Sequence, residues 1–278
     1  MQASLSSSER LPLTQQLTAA YVISCIIAVG MAVASVVGLL VPTVIYPTAE
    51  MQQAFVPNDV VNLLIGLPML LGSMWLTRRK RLVGLLFWPG ALLYVLYNYI
   101  VYLFGRPFDW LSLLNLALVA LSAVTMFSLL KNMDKKAIQA QLTGAVPTKM
   151  GGWVLVIFGV MFCLRAIGML AEAGTSQMML SAADVGLLLA DIILSLLWLA
   201  GGVLLLRKTA LGYAGGLGLL FVGSVLFVGL MMVLLLQPIL TEAPFALVDL
   251  LVIAAMGLVC FIPFLLFLRG VMSKESAC

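Results

Sequence analysis

The chain contains no histidine. That absence excludes Ser-His and Cys-His nucleophilic catalysis, His-ligated haem and the His-based metal sites of most membrane metalloenzymes, since each needs an imidazole as base or ligand. Cysteine is sparse: Cys25, Cys163, Cys260 and Cys278 stand singly without CxxC spacing and read as small apolar fillers. Charge is scarcer still. Only 9% of the 278 residues are Asp, Glu, Lys or Arg, against about a quarter in soluble domains. No loop is long enough to hold a nucleotide-hydrolysing domain, and the longest, 131 to 149, has no nucleotide motif. The glycine-rich GGLGLLFVGS from Gly215 lies in an apolar run with no following Lys, so it reads as a close-packing helix surface rather than a phosphate loop. A Gly-x-Gly-Asp motif is also missing, and Asp184 and Asp191 share one helix, which argues against an aspartyl intramembrane protease.

What remains is apolar. With 63% hydrophobic residues and a mean hydropathy of +1.17, the sequence describes an integral membrane protein. Eight runs are long enough to cross a hydrocarbon core as helices: 17 to 41, 59 to 77, 82 to 104, 109 to 130, 150 to 172, 181 to 206, 209 to 236 and 245 to 268. The expected fold is therefore an all-α bundle of eight transmembrane helices. The polar segment before the first run carries no convincing cleavage site, so that run is expected to be a retained helix.

Basic residues orient the bundle. With the N-terminus cytoplasmic, Arg10, the RRKR run from Arg78, Lys131, Lys135, Lys136, Lys149, Arg207, Lys208, Arg269 and Lys274 all fall inside. Only Arg106 is then outside and only Arg165 within a span. The net charge of +4 is absorbed by this topology and does not point to nucleic acid. Asp59, Asp109, Asp184 and Asp249 fall where helices begin at the outer side and read first as caps.

The two halves look alike. DVVNLLIGLPMLLGSMWLTRRK from Asp59 parallels DVGLLLADIILSLLWLAGGVLLLRK from Asp184, with Trp75 and Trp198 late in each, and both fourth spans follow Pro-Phe and leave on a basic residue. Four spans per unit imply a parallel repeat about an axis along the membrane normal. The expected organisation is a tail at 1–16, four-helix units at 17–149 and 150–270, and a tail at 271–278.

The Asp-led helix, the RRKR turn, LYVLYNYIVYLFG and the later D…W…RK…GY segment resemble an uncharacterised group of prokaryotic polytopic membrane proteins. The resemblance covers mainly residues 58 to 110 and 184 to 215. It implies a bacterial or archaeal cytoplasmic membrane, and it carries no activity, cofactor or ligand.

Arg165 is the hardest residue to place. Seven residues from the outer end at Glu172, it lies roughly 10 Å deep, where a guanidinium needs a partner, a wet cavity or a reach to the headgroups. If spans five and six pack antiparallel, either Asp184 or Asp191 can pair with it. In LYVLYNYIVYLFG, Tyr94, Asn98 and Tyr102 form one stripe with Tyr97 beside it; Asn98 needs a partner, with Asn62 and Asn115 as candidates, or a cavity. Together these residues outline an outward-facing polar pocket between the two units, lined by Tyr97, Asn98, Arg165, Asp184 and Asp191, with Pro68 and Pro89 bending their helices around it. Three functions fit: binding or transport of a small molecule or lipid, a noncatalytic scaffold or subunit, and an enzyme acting on a lipid-linked substrate. Membrane lipids are the expected partners, and no cofactor or metal site is expected.

Overall fold

The computed structural model describes residues 11–176 and 180–276; Arg10 and Cys278 lie outside them. Among the described residues the chain is helical throughout, with α1 (Thr18–Leu40), α2 (Pro42–Ile45), α3 (Ala49–Val61), a π-helical turn (Asn62–Gly66), α4 (Leu67–Arg78), α5 (Leu82–Phe104) and α6 (Trp110–Asn132) in the first half. The rest comprises α7 (Lys135–Leu142), α8 (Thr148–Ser176), α9 (Ala182–Leu206), α10 (Ala210–Leu240) and α11 (Leu247–Ser276). Eight of these helices are long and apolar enough to cross a membrane, with α3, the π turn and α4 forming one continuous span. The chain is a polytopic all-α membrane protein.

Several boundaries differ from expectation. The second span starts at Ala49 rather than Asp59, because Thr48 caps the helix by accepting from Met51 N at 3.2 Å. Asp59 is consequently not a cap but a buried residue one-third of the way along the span. The loop at 131 to 149 contains α7, an amphipathic helix that buries Ile138 and Leu142. The last helix continues to Ser276, through most of the expected tail, and there Glu275 accepts from Val83 N at 2.9 Å and pairs with Arg81. Asp109 does cap: its carboxylate and Ser112 exchange bonds with each other's backbone N–H at the start of α6. In α9 the cap is Ser181, and Asp184 sits in the first turn, where its charge meets the positive end of the helix dipole.

The helix ends divide into a basic end, where the chain turns through Arg78–Arg81 and Arg207–Lys208, and an opposite, acidic end. Of the eight spans, α5 is the most buried. It packs against α4, α6, α9 and α10, and the stacked Phe87 and Phe221 rings, 4.1 Å between centroids, join it to α10. In turn α10 packs on α3, α9 and α11, and α8 lies along α9. Where α5 crosses α10, Gly90 faces Gly218. A β-carbon on Gly218 would stand 2.9 Å from Leu86 O and 3.2 Å from Gly90 N. Only glycines let two helix backbones meet this closely.

The two basic turns are built alike. Arg79, Lys80 and Arg81 donate their N–H groups to Trp75, Thr77 and Leu76; Arg207, Lys208 and Thr209 donate theirs to Val203, Leu205 and Leu204. Lys80 and Lys208 both adopt the left-handed conformation, at φ 61° and 56°. The glycine that follows each, Gly84 or Gly212, lies against the helix before the turn, and the next matched pair is Gly90 and Gly218. The two turns match in a register other than that of Asp59 with Asp184 or Trp75 with Trp198, and the tryptophans differ in surroundings, Trp75 exposed and Trp198 buried.

A non-glycine residue in the left-handed region carries a backbone penalty of about 1 kcal/mol. Lys80→Gly and Lys208→Gly are each expected to stabilise the bundle by about that amount, read as a raised unfolding midpoint in detergent. A lowered midpoint would mean that the lysine side chain contributes more than its backbone costs.

Candidate functional site

The buried carboxylate, amide and guanidinium side chains of the bundle interior gather towards the acidic end, on two sides of α5. On the first, Arg165 of α8 pairs with Asp191 of α9, and Tyr97 of α5 donates its hydroxyl to the other carboxylate oxygen at 2.9 Å. The partners differ in exposure: the Asp191 side chain is 3% exposed and that of Arg165 44%. Arg165 thus reaches inward from a helix face whose neighbours Leu164 and Ile167 point outwards. Of the two expected partners Asp191 is the one engaged, because Asp184 bonds to the Ser181 hydroxyl at 2.8 Å, at the helix start.

On the other side the stripe Tyr94, Asn98 and Tyr102 faces the second span. Asn98 accepts from Asn58 at 3.1 Å and donates to the Tyr94 carbonyl, so neither Asn62 nor Asn115 is its partner. Instead Asn62 accepts from Tyr94 at 3.2 Å, and Asn115 lies buried on α6 with its amide nitrogen unpartnered among the described residues. The π turn begins at Asn62, and such turns recur at functional positions.

Sequence reasoning passed over the centre of this second cluster. Asp59 is 1% exposed and accepts from Tyr46 at 2.7 Å and Tyr102 at 2.9 Å. No Lys or Arg pairs with it among the described residues. Tyr46, in the connection between the first two spans, is pushed well above the usual phenol range by burial and then by the Asp59 charge, with the Arg106 guanidinium opposing. It stays protonated and donates. Arg106 is also not an exposed loop residue: its side chain is fully buried, it pairs with Asp109 through one nitrogen, and its other two have no partner among the described residues. The signal for Asp59 was present in LYVLYNYIVYLFG, where three polar residues on one face require a polar partner on the next helix.

Of the five expected pocket residues, Tyr97, Arg165 and Asp191 come together, Asn98 joins the Asp59 cluster, and Asp184 stands at the helix start. Side chains of the protein satisfy most of their polar atoms directly. A separate cavity of about 210 Å³ lies near the basic end between α6 and the α9/α10 pair, with α5 as its floor. None of the five lines it.

Among the described residues cysteine contributes no cluster: Cys163 donates to Ser195, and Cys260 sits against Ser224 and the Leu220 carbonyl. In comparison with known proteins, no family model, no curated protein and no solved structure matches this chain.

Proposed function

We propose that the protein binds or transports a small molecule or lipid through the two polar clusters on either side of α5, one within the first half and one joining the halves, whose side chains bond to one another in this structure. The observation that carries this reading is Asp59. Helix adhesion is served by Asn, Ser or Thr, whereas a carboxylate buried without a paired cation costs several kcal/mol, and intramembrane carboxylates characteristically serve ligand or proton pathways. Asp191 supplies the second such group across α5, with Arg165 as a candidate anion clamp.

We also infer a parallel duplication. The matched basic turns support it, and so does the packing: α5 lies on α10 and α9, and α10 lies on α5 and α3, as exchange of the two halves requires. Placement in a prokaryotic cytoplasmic membrane with both termini inside belongs to the same proposal and rests on the basic residues and the family resemblance. The scaffold reading draws its support from how completely the polar side chains satisfy one another.

The test is mass spectrometry of small molecules and lipids released from gently purified wild type, Asp59→Asn and Arg165→Ala. A released species depleted about tenfold in Asp59→Asn, with the unfolding midpoint unchanged or raised, is the expected outcome. Identical released species from all three, together with a lowered midpoint in Asp59→Asn, would assign the carboxylate to structure and favour the scaffold.

A further inference from the structure

The cavity near the basic end is independent of the polar clusters. Helices α6, α9 and α10 all pack on α5, but α6 leans on α5 and α1 while α9 and α10 lean on each other and on α5. Between them runs a groove floored by Pro89, Gly90 and Leu93. Its lining is almost wholly carbon. From Leu211 to Leu219 along α10 it covers about 12 Å of helix rise. Glycine keeps it open: a β-carbon on Gly215 would meet nothing within 4 Å.

An apolar groove in the flank of a bundle is filled by hydrocarbon in a bilayer, because an empty one forfeits van der Waals contacts along its whole lining. The charge at its mouth narrows the choice. Leu130, Leu204 and Leu211 line the end nearest the basic turns. Lys131 follows the first of these in the chain, and Arg207 and Lys208 lie between the other two, all three exposed. The nearest carboxylate in sequence, Asp134, is occupied in capping α7.

We infer that this groove binds one chain of an anionic phospholipid in the leaflet at the basic end, with the headgroup phosphate against Lys131, Arg207 and Lys208. Chain and headgroup are thus recognised by different parts of the site. The groove selects for hydrocarbon by shape, and the cations select for negative charge over a zwitterionic headgroup.

The two parts can be removed separately. Gly215→Leu grows a side chain into open space and fills the groove. Arg207→Gln with Lys208→Asn removes two cations, Asn being the non-glycine residue best suited to the positive φ at that position. Native mass spectrometry of the full chain, titrated with phosphatidylglycerol or phosphatidylcholine of identical acyl chains, reads both. Wild type is expected to retain phosphatidylglycerol about tenfold better. Gly215→Leu is expected to weaken both lipids about tenfold without lowering the unfolding midpoint. The double variant is expected to bind phosphatidylcholine as wild type does and to lose the preference. Equal retention of the two lipids by wild type would overturn the headgroup assignment. Full retention of phosphatidylglycerol by Gly215→Leu would place the lipid in the general lipid shell instead of the groove. Neither result touches the polar clusters, whose test uses Asp59 and Arg165.

Discussion

Arg165→Met is expected to destabilise the bundle by about 3 kcal/mol, the lower end of what breaking a buried ion pair costs. Asp191 sets this figure. Its side chain is almost fully buried, and without the guanidinium the partner left to its carboxylate is the neutral Tyr97 hydroxyl. Because Arg165 is itself about half exposed, removing it costs less than removing a fully buried partner. Met keeps the aliphatic length, so the loss reports the charge and not the packing. The decisive comparison is Arg165→Met with Asp191→Asn in one chain. With no unpaired carboxylate left, most of the lost stability should return, and the Asn side chain can still accept from Tyr97. Thermal unfolding in detergent of wild type, the single and the double variant measures both effects. Failure of the double variant to recover would mean that Arg165 stabilises α8 against α9 by packing, with Asp191 incidental. Asp184→Asn, by contrast, should change stability by less than about 1 kcal/mol, since Asp184 acts only at the helix start.

The pairing of Arg165 was partly legible beforehand. A short connection makes α8 and α9 neighbours, and depth counted along each helix restricts the partner to two aspartates. Choosing between them required knowing that Ser181 caps α9 and engages Asp184 there. Span number and type were legible for a simpler reason: a helix is the only open-chain structure that satisfies its backbone in hydrocarbon, so apolar length suffices. Asp59 was legible only indirectly, as an unnamed polar partner that the Tyr94, Asn98 and Tyr102 stripe requires. An acid ahead of an apolar run has the signature of a cap, and only the preceding helix, polar enough to resemble a loop at residues 49 to 58, shows otherwise. The groove was equally hidden, because its glycines read as close-packing positions. Gly90 and Gly218 do pack closely, whereas Gly215 leaves space, and the sequence does not distinguish the two uses.

That difference leads to the largest expected effect. Gly90→Ala adds one methyl group where the α10 backbone stands, with Gly218 O, C and Cα as its nearest neighbours. Overpacking a core ordinarily costs 1–3 kcal/mol because side chains yield; here two helix backbones must part, so about 3 kcal/mol or more is expected. Gly218→Ala should cost a similar amount, since its β-carbon meets Leu86 O and Gly90 N. The two losses should fall short of additive, because the first substitution already separates the helices at the shared crossing. Gly215→Ala, three residues from Gly218 on the same helix, is the control. It meets nothing and should gain the usual helical advantage of Ala over Gly. Monodisperse yield and unfolding midpoint are the readouts. A tolerated Gly90→Ala would show that α5 and α10 are free to separate there, and the central seam on which the duplication proposal depends would lose its fixed point.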